Sequence, residues 1–107
     1  MAFLPNATRA IATSSVVAAA TDQVSADLAG EAIVLSLRTA MYYGLDQVGA
    51  RIWELVREPT RVADVRDAIA REYDVDLERC ERDVLELLHQ LATHGLIEVR
   101  DGGEAAR

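Results

Sequence analysis

The sequence predicts an α+β fold: a three-stranded antiparallel β-meander followed by a three-helix bundle, in a winged-helix-like order. Two rhythms carry the prediction. From Gln23 to Leu45 the apolar residues recur with period two, and from Asp46 to Thr93 they recur at 3.6. The connections in the first half are only a few residues long, which antiparallel neighbours can use and parallel ones cannot.

The first strand starts at Gln23, where Val24, Ala26 and Leu28 alternate with Gln23, Ser25 and Asp27; Ala29-Gly30 supplies a turn. Glu31 to Leu37 is β-branched and aliphatic, as a more buried strand requires. After Arg38-Thr39-Ala40 comes a third strand, Met41-Tyr42-Tyr43-Gly44-Leu45, with Met41, Tyr43 and Leu45 on one face.

Asp46 is placed to cap a first helix whose apolar stripe is Val48, Ile52, Leu55 and Val56, beside Trp53. Glu58-Pro59 ends it. Thr60 is expected to cap a second helix with Val62, Val65, Ala68, Ile69 and Tyr73 inward, and Asp76 a third from about Leu77 to Thr93. Gly95 is the expected left-handed terminator, and Leu96 to Val99 an extended tail. At about 100° per residue from Cys80, the third helix puts Val84, Leu87, Leu88 and Leu91 on one stripe, which Leu85 and Ala92 widen. Asp83, Gln90 and His94 lie on the opposite rim. The extra width either packs on the other helices or lines a groove beside the third strand.

The 107 residues suit one domain. Residues 1–22 are read as a flexible or loosely docked arm, 23–99 as the folded domain and 100–107 as a frayed tail. The small-residue stretch near the start is too interrupted for a signal peptide, and no apolar run approaches the length of a bilayer span, so the expected location is the cytoplasm.

Net charge is −7, from 11 basic and 18 acidic residues. That balance argues against a nucleic-acid partner, and the carboxylates of the third helix argue against its use as a DNA-reading helix, the rival role for this order of elements. No Lys is present, so lysine-based covalent catalysis is excluded. Cys80 and His89 share a helix but project about 180° apart, so they cannot form a nucleophilic pair. Two histidines and one cysteine do not make a standard zinc site, and the Asp74 to Glu78 alternation lacks the glycine of a calcium loop. The expectation is a protein that is not an enzyme, with no cofactor and no metal. Function then falls to recognition: the third strand has neither Lys nor Pro to blunt its edge, and an extended peptide could pair with it.

Gly30-Glu31-Ala32-Ile33-Val34-Leu35, the string Tyr42-Tyr43-Gly44-Leu45-Asp46-Gln47-Val48-Gly49-Ala50-Arg51-Ile52-Trp53, Tyr73-Asp74-Val75, Cys80 to Val84, and Leu91 to Ile97 together resemble the PqqD-like proteins, over about Gln23 to Val99. The second string is closest to the small stand-alone members associated with lasso-peptide biosynthesis. The resemblance implies a recognition element that binds the leader of a ribosomally made precursor by β-strand addition. It further implies delivery to a leader-cleaving cysteine protease and a macrolactam-forming cyclase. Carried over, the peptide-binding residues would be Met41, Tyr42, Tyr43, Gly44 and Leu45 on the strand, with Asp83, Val84, Leu87, Leu88 and Leu91 on the helix. A leader for another product, such as the pyrroloquinoline quinone precursor, fits the same resemblance. Ala40 stands where relatives often have Gly, which would strain the turn if its φ is positive.

Overall fold

The computed structural model describes residues 11–100. Nine elements follow one another: β1 (Val16–Ala19), β2 (Gln23–Leu28), β3 (Glu31–Ser36), β4 (Tyr42–Leu45), α1 (Gln47–Leu55), β5 (Thr60–Arg61), α2 (Val62–Tyr73), α3 (Leu77–Thr93) and β6 (Ile97–Arg100). The expected meander is β2-β3-β4, antiparallel throughout, and the three helices follow it. A second three-stranded sheet, ordered β5-β1-β6, was not expected.

This second sheet corrects the reading of residues 1–22 as an arm. The described part of that stretch is built into the fold: Val16 to Ala19 pairs with Ile97 to Arg100. Val17 is fully buried, and Ile11 and Ala20 join it in the core. The Ala19 and Ala20 amides donate to Val56 and Leu96 carbonyls, and the Ala63 amide donates to Thr13. The supposed tail after Gly95 is the strand that receives β1, and it includes Arg100. Residues 1–10 and 101–107 lie outside the described residues.

The β2–β3 connection is the two-residue turn Ala29-Gly30, with φ +56° and +89°. Two positive φ values mark the turn whose twist matches a hairpin. The β3–β4 connection also needs a left-handed residue, and Ala40 supplies it at φ +62°. The strain anticipated at Ala40 is therefore present.

Asp46 caps α1, its Oδ1 accepting from the Gly49 amide at 2.8 Å, and Asp76 caps α3 by accepting from the Arg79 amide at 3.0 Å. Thr60 does not cap α2. Its hydroxyl donates to the Leu55 and Glu58 carbonyls, and Arg61 takes the cap position without a side-chain bond. Thr60 thus closes the end of α1 instead, a role that a helix-start pattern does not suggest. Gly95 terminates α3 at φ +73°, a left-handed conformation that calls for glycine; the nearest atom to a Cβ there is the mobile end of Arg38, which could swing aside.

One hydrophobic core joins both sheets to the helices, with Val34 from β3, Trp53 from α1, Val65 from α2, Leu88 from α3, and Val17 and Ile97 from the second sheet. Arg51 on α1 clamps α2 by donating to both Glu72 carboxylate oxygens, at 2.9 and 2.8 Å, and donates to Glu54 at 3.1 Å. Hydrogen bonding to Arg51 holds the Glu72 carboxyl below its ordinary value.

Two stability changes follow. Val17→Ala should destabilise the fold by about 2 kcal/mol in urea unfolding, because a fully enclosed side chain is truncated; a loose arm would show no change. Ala40→Gly should stabilise it by about 0.5–1 kcal/mol, by relieving the left-handed alanine net of glycine's larger unfolded-state entropy.

Candidate functional site: a free strand edge above an apolar groove

Among the described residues β4 pairs on one side only, with β3. The register fixes which of its backbone groups are free. Ser36 and Met41 stand opposite one another, and the Ser36 amide donates to the Met41 carbonyl at 2.8 Å. In an antiparallel ladder hydrogen-bonded pairs alternate with non-bonded ones. Val34↔Tyr43 and Ala32↔Leu45 are therefore the bonded pairs, and Leu35↔Tyr42 and Ile33↔Gly44 the non-bonded ones. Tyr42 and Gly44 turn their N–H and C=O groups outward, while Tyr43 spends its own on β3.

Below this edge lies a groove of about 640 Å3. Gly44, Leu45 and Asp46 form its strand side, and Val48 and Ile52 of α1 continue that wall. Ile69, Tyr73 and Val75 close the end at α2. On α3 the wall is Arg79, Cys80, Asp83, Val84 and Leu87. The floor is apolar, and the charges of Asp46, Arg79 and Asp83 stand at the mouth. Arg79 and Asp83 approach to 4.0 Å on the surface, both well exposed. Such a pair adds little stability and leaves the mouth polar.

The structure thus resolves which rim of α3 turns to the strand. It is the Asp83–Leu87 side, and it continues to His94, whose ring lies 4.5 Å from that of Tyr43 and tilted by 35°. Of the residues anticipated from the sequence, Gly44, Leu45, Asp83, Val84 and Leu87 come together in the groove. Tyr42 contributes backbone at the edge while its ring stays 71% exposed, and Tyr43 reaches the His94 end. Leu88 and Leu91 do not face the groove. They are buried in the core, where the wide apolar arc of α3 meets the other elements. Met41 is exposed beyond the end of β4. The groove residues that sequence reasoning missed include Val48 and Ile52 from α1, Ile69 and Tyr73 from α2, Val75 from the α2–α3 connection, and Arg79 and Cys80 from α3. The periodicity of the apolar ones on α1 and α2 marks them as core, and only the packing angle of the helices opens part of that stripe to the groove.

Cys80 lines the groove without being reactive. Its thiol donates to the Arg66 carbonyl at 3.5 Å, and its surface is 3% exposed. Burial first, and the Asp83 charge second, push the thiol above its ordinary value. Among the described residues no group of acidic, His or Cys side chains could hold a metal ion. No helix among them is long and apolar enough to cross a membrane.

Because the folded pKa of Cys80 is raised, its neutral form favours the native state. That contribution is complete below the ordinary thiol value and is withdrawn as pH rises from there through the raised folded value. Cys80→Ala should therefore flatten the alkaline limb of a stability–pH curve. Iodoacetamide should label the native thiol far more slowly than the unfolded one, and equal rates would refute the buried geometry.

Comparison with known proteins agrees with this architecture. No curated protein matches the chain. A solved structure, that of TbiB1 in complex with the TbiA(beta) leader peptide, superposes with a TM-score of 0.72 at 42% sequence identity, over 76% of this chain and 94% of that one. The family model for coenzyme PQQ synthesis protein D matches residues 31–97, from β3 through the first residue of β6. The chain belongs to the PqqD family.

Proposed function

We propose that this protein binds the leader segment of a ribosomally synthesised precursor peptide and presents it to processing enzymes. The leader adds itself as a fourth strand beside β4, hydrogen-bonding to Tyr42 and Gly44, and lays alternate side chains into the groove against Asp83, Val84 and Leu87. The single observation that carries this reading is the β4 edge, unpaired among the described residues, above an apolar groove. The likeness to TbiB1, solved with a leader peptide bound, supports it.

The energetics suit a transient carrier. An extended leader loses chain entropy on docking, which the ladder and a few buried side chains must offset. The protein itself is not a catalyst in this account. A leader-cleaving cysteine protease and a macrolactam-forming cyclase act on the presented precursor in the cytoplasm. A second reading, favoured by the family's description, is that the leader belongs to the pyrroloquinoline quinone precursor.

Titration calorimetry with the synthetic TbiA(beta) leader should give saturable binding at micromolar concentrations, and competition with a quinone-precursor leader ranks the two readings. Absence of heat with both counts against leader binding. Proline scanning probes the pairing. Tyr42→Pro removes an outward donor and should leave a folded protein that binds about fivefold more weakly, the equivalent of one ladder hydrogen bond. Tyr43→Pro removes an inward donor and should damage the β3–β4 sheet itself. Equal affinity of a folded Tyr42→Pro protein would contradict the strand-addition geometry.

A further inference from the structure

The face of the β2-β3-β4 sheet that points away from the helices is apolar. The register sets Val24, Leu35 and Tyr42 in one row and Ala26, Ile33 and Gly44 in the next, with Leu28 opposite Glu31. Val24, Leu28, Ile33 and Tyr42 are all exposed. The solvated face of an antiparallel sheet ordinarily alternates to polar residues. Here β3 is apolar on both sides, because Ala32 and Val34 fill the core face. Three strands by five residues cover about 14 Å by 17 Å, on the order of 240 Å2. That is well short of the roughly 800 Å2 per partner of a stable interface, so this face by itself does not hold a second copy.

At one end of this face is a notch of about 360 Å3, with Gly44 and Ile33 as its floor and Leu28, Glu31 and Asp46 around it. Gly44 has no packing reason within the chain: a Cβ built on it meets nothing within 4 Å, and its φ is not positive. A glycine inside a strand weakens it unless something else must come close. The notch is also continuous with the groove, since Gly44, Leu45 and Asp46 line both. A strand running along the β4 edge would therefore send one set of side chains into the groove and the alternate set over the notch.

Charge decides what that alternate set contains. Both ionisable residues around the notch are carboxylates, no cation lines it, and neither Glu31 nor Asp46 forms an ion pair among the described residues. We propose that the notch at Gly44 is a second specificity subsite for the bound peptide, taking a long basic side chain, Arg or Lys, from the outward-facing position opposite Gly44. The proposal rests on the leader-binding reading. The peptide residue opposite Gly44 has no side chain to meet on β4, so its own can lie flat across the strand. Crossing Gly44, its stem lies toward Ile33 on β3, two strand spacings or about 9.6 Å from the peptide backbone. Its charged head then reaches Glu31 and Asp46, where a charge-assisted hydrogen bond is available.

The test uses a displayed library of random 15-residue peptides selected on the immobilised protein, in parallel with Glu31→Lys, Gly44→Val and, as a control on the other sheet, Glu98→Gln. Arg and Lys should be enriched at a single register position, on the face opposite the groove-anchoring residues. That enrichment should persist in Glu98→Gln, turn to Asp and Glu in Glu31→Lys, and vanish in Gly44→Val, whose valine fills the notch without disturbing the backbone. A selected peptide with Arg at that position should bind Glu31→Lys about three- to tenfold more weakly than the parent protein. Binders with no positional basic preference would overturn the subsite while leaving leader binding intact. Basic residues scattered along the binders, or a preference unchanged in Glu31→Lys and Gly44→Val, would overturn it as well. Recovery of no binders would overturn both readings.

Discussion

The hydrogen-bond parity of β4 is the constraint on which the rest of the account depends. Tyr43 gives its backbone groups to Val34 on β3, so Tyr42 and Gly44 must turn theirs to the open side. A shift of one residue would reverse the arrangement and also send Leu45 and the Tyr43 ring out of the core side. The register is held by buried side chains, Ala32 and Val34 on β3 and Leu45 on β4, and by the positive-φ turn residues Ala29, Gly30 and Ala40. The core thereby fixes which main-chain groups are offered to a partner, and the helices fix what lies beneath them.

An open edge is a hazard for any sheet, and here it is kept short. β4 has four residues and stops at Asp46, which begins α1. The groove beneath is walled by three helices held relative to one another by the core and by the Arg51–Glu72 clamp. The second sheet stiffens the opposite side, where β6 follows directly from the end of α3 and is tied to β1. The slot is thus pre-formed, and in the proposed complex the ordering cost of binding would fall on the peptide.

Much of this was legible from the residues. The meander, the three helices, the caps at Asp46 and Asp76 and the terminator at Gly95 each leave a local signature, a period or a capping residue at a fixed offset. The second sheet left none. β1 is four residues of Val and Ala after a Thr-Ser-Ser interruption, and its partner β6 lies across nearly the whole fold in sequence, a non-local pairing that periodicity does not record. Thr60 misled for a related reason, since its hydroxyl is taken by the end of the preceding helix. On α3 the width of the apolar arc showed that the helix had more than one neighbour. Only packing divided the arc, sending Leu88 and Leu91 to the core and Leu87 with Asp83 to the groove.

Amide hydrogen exchange of β4, read residue by residue with and without a saturating leader peptide, addresses the parity most directly. Exchange slows where an amide acquires a hydrogen-bond partner. The account predicts strong new protection at Tyr42 and Gly44, with Tyr43 already protected in the free protein and little changed. Protection gained at Tyr43 alone, or no change along β4 despite bound peptide, would show that the peptide is held by some other surface.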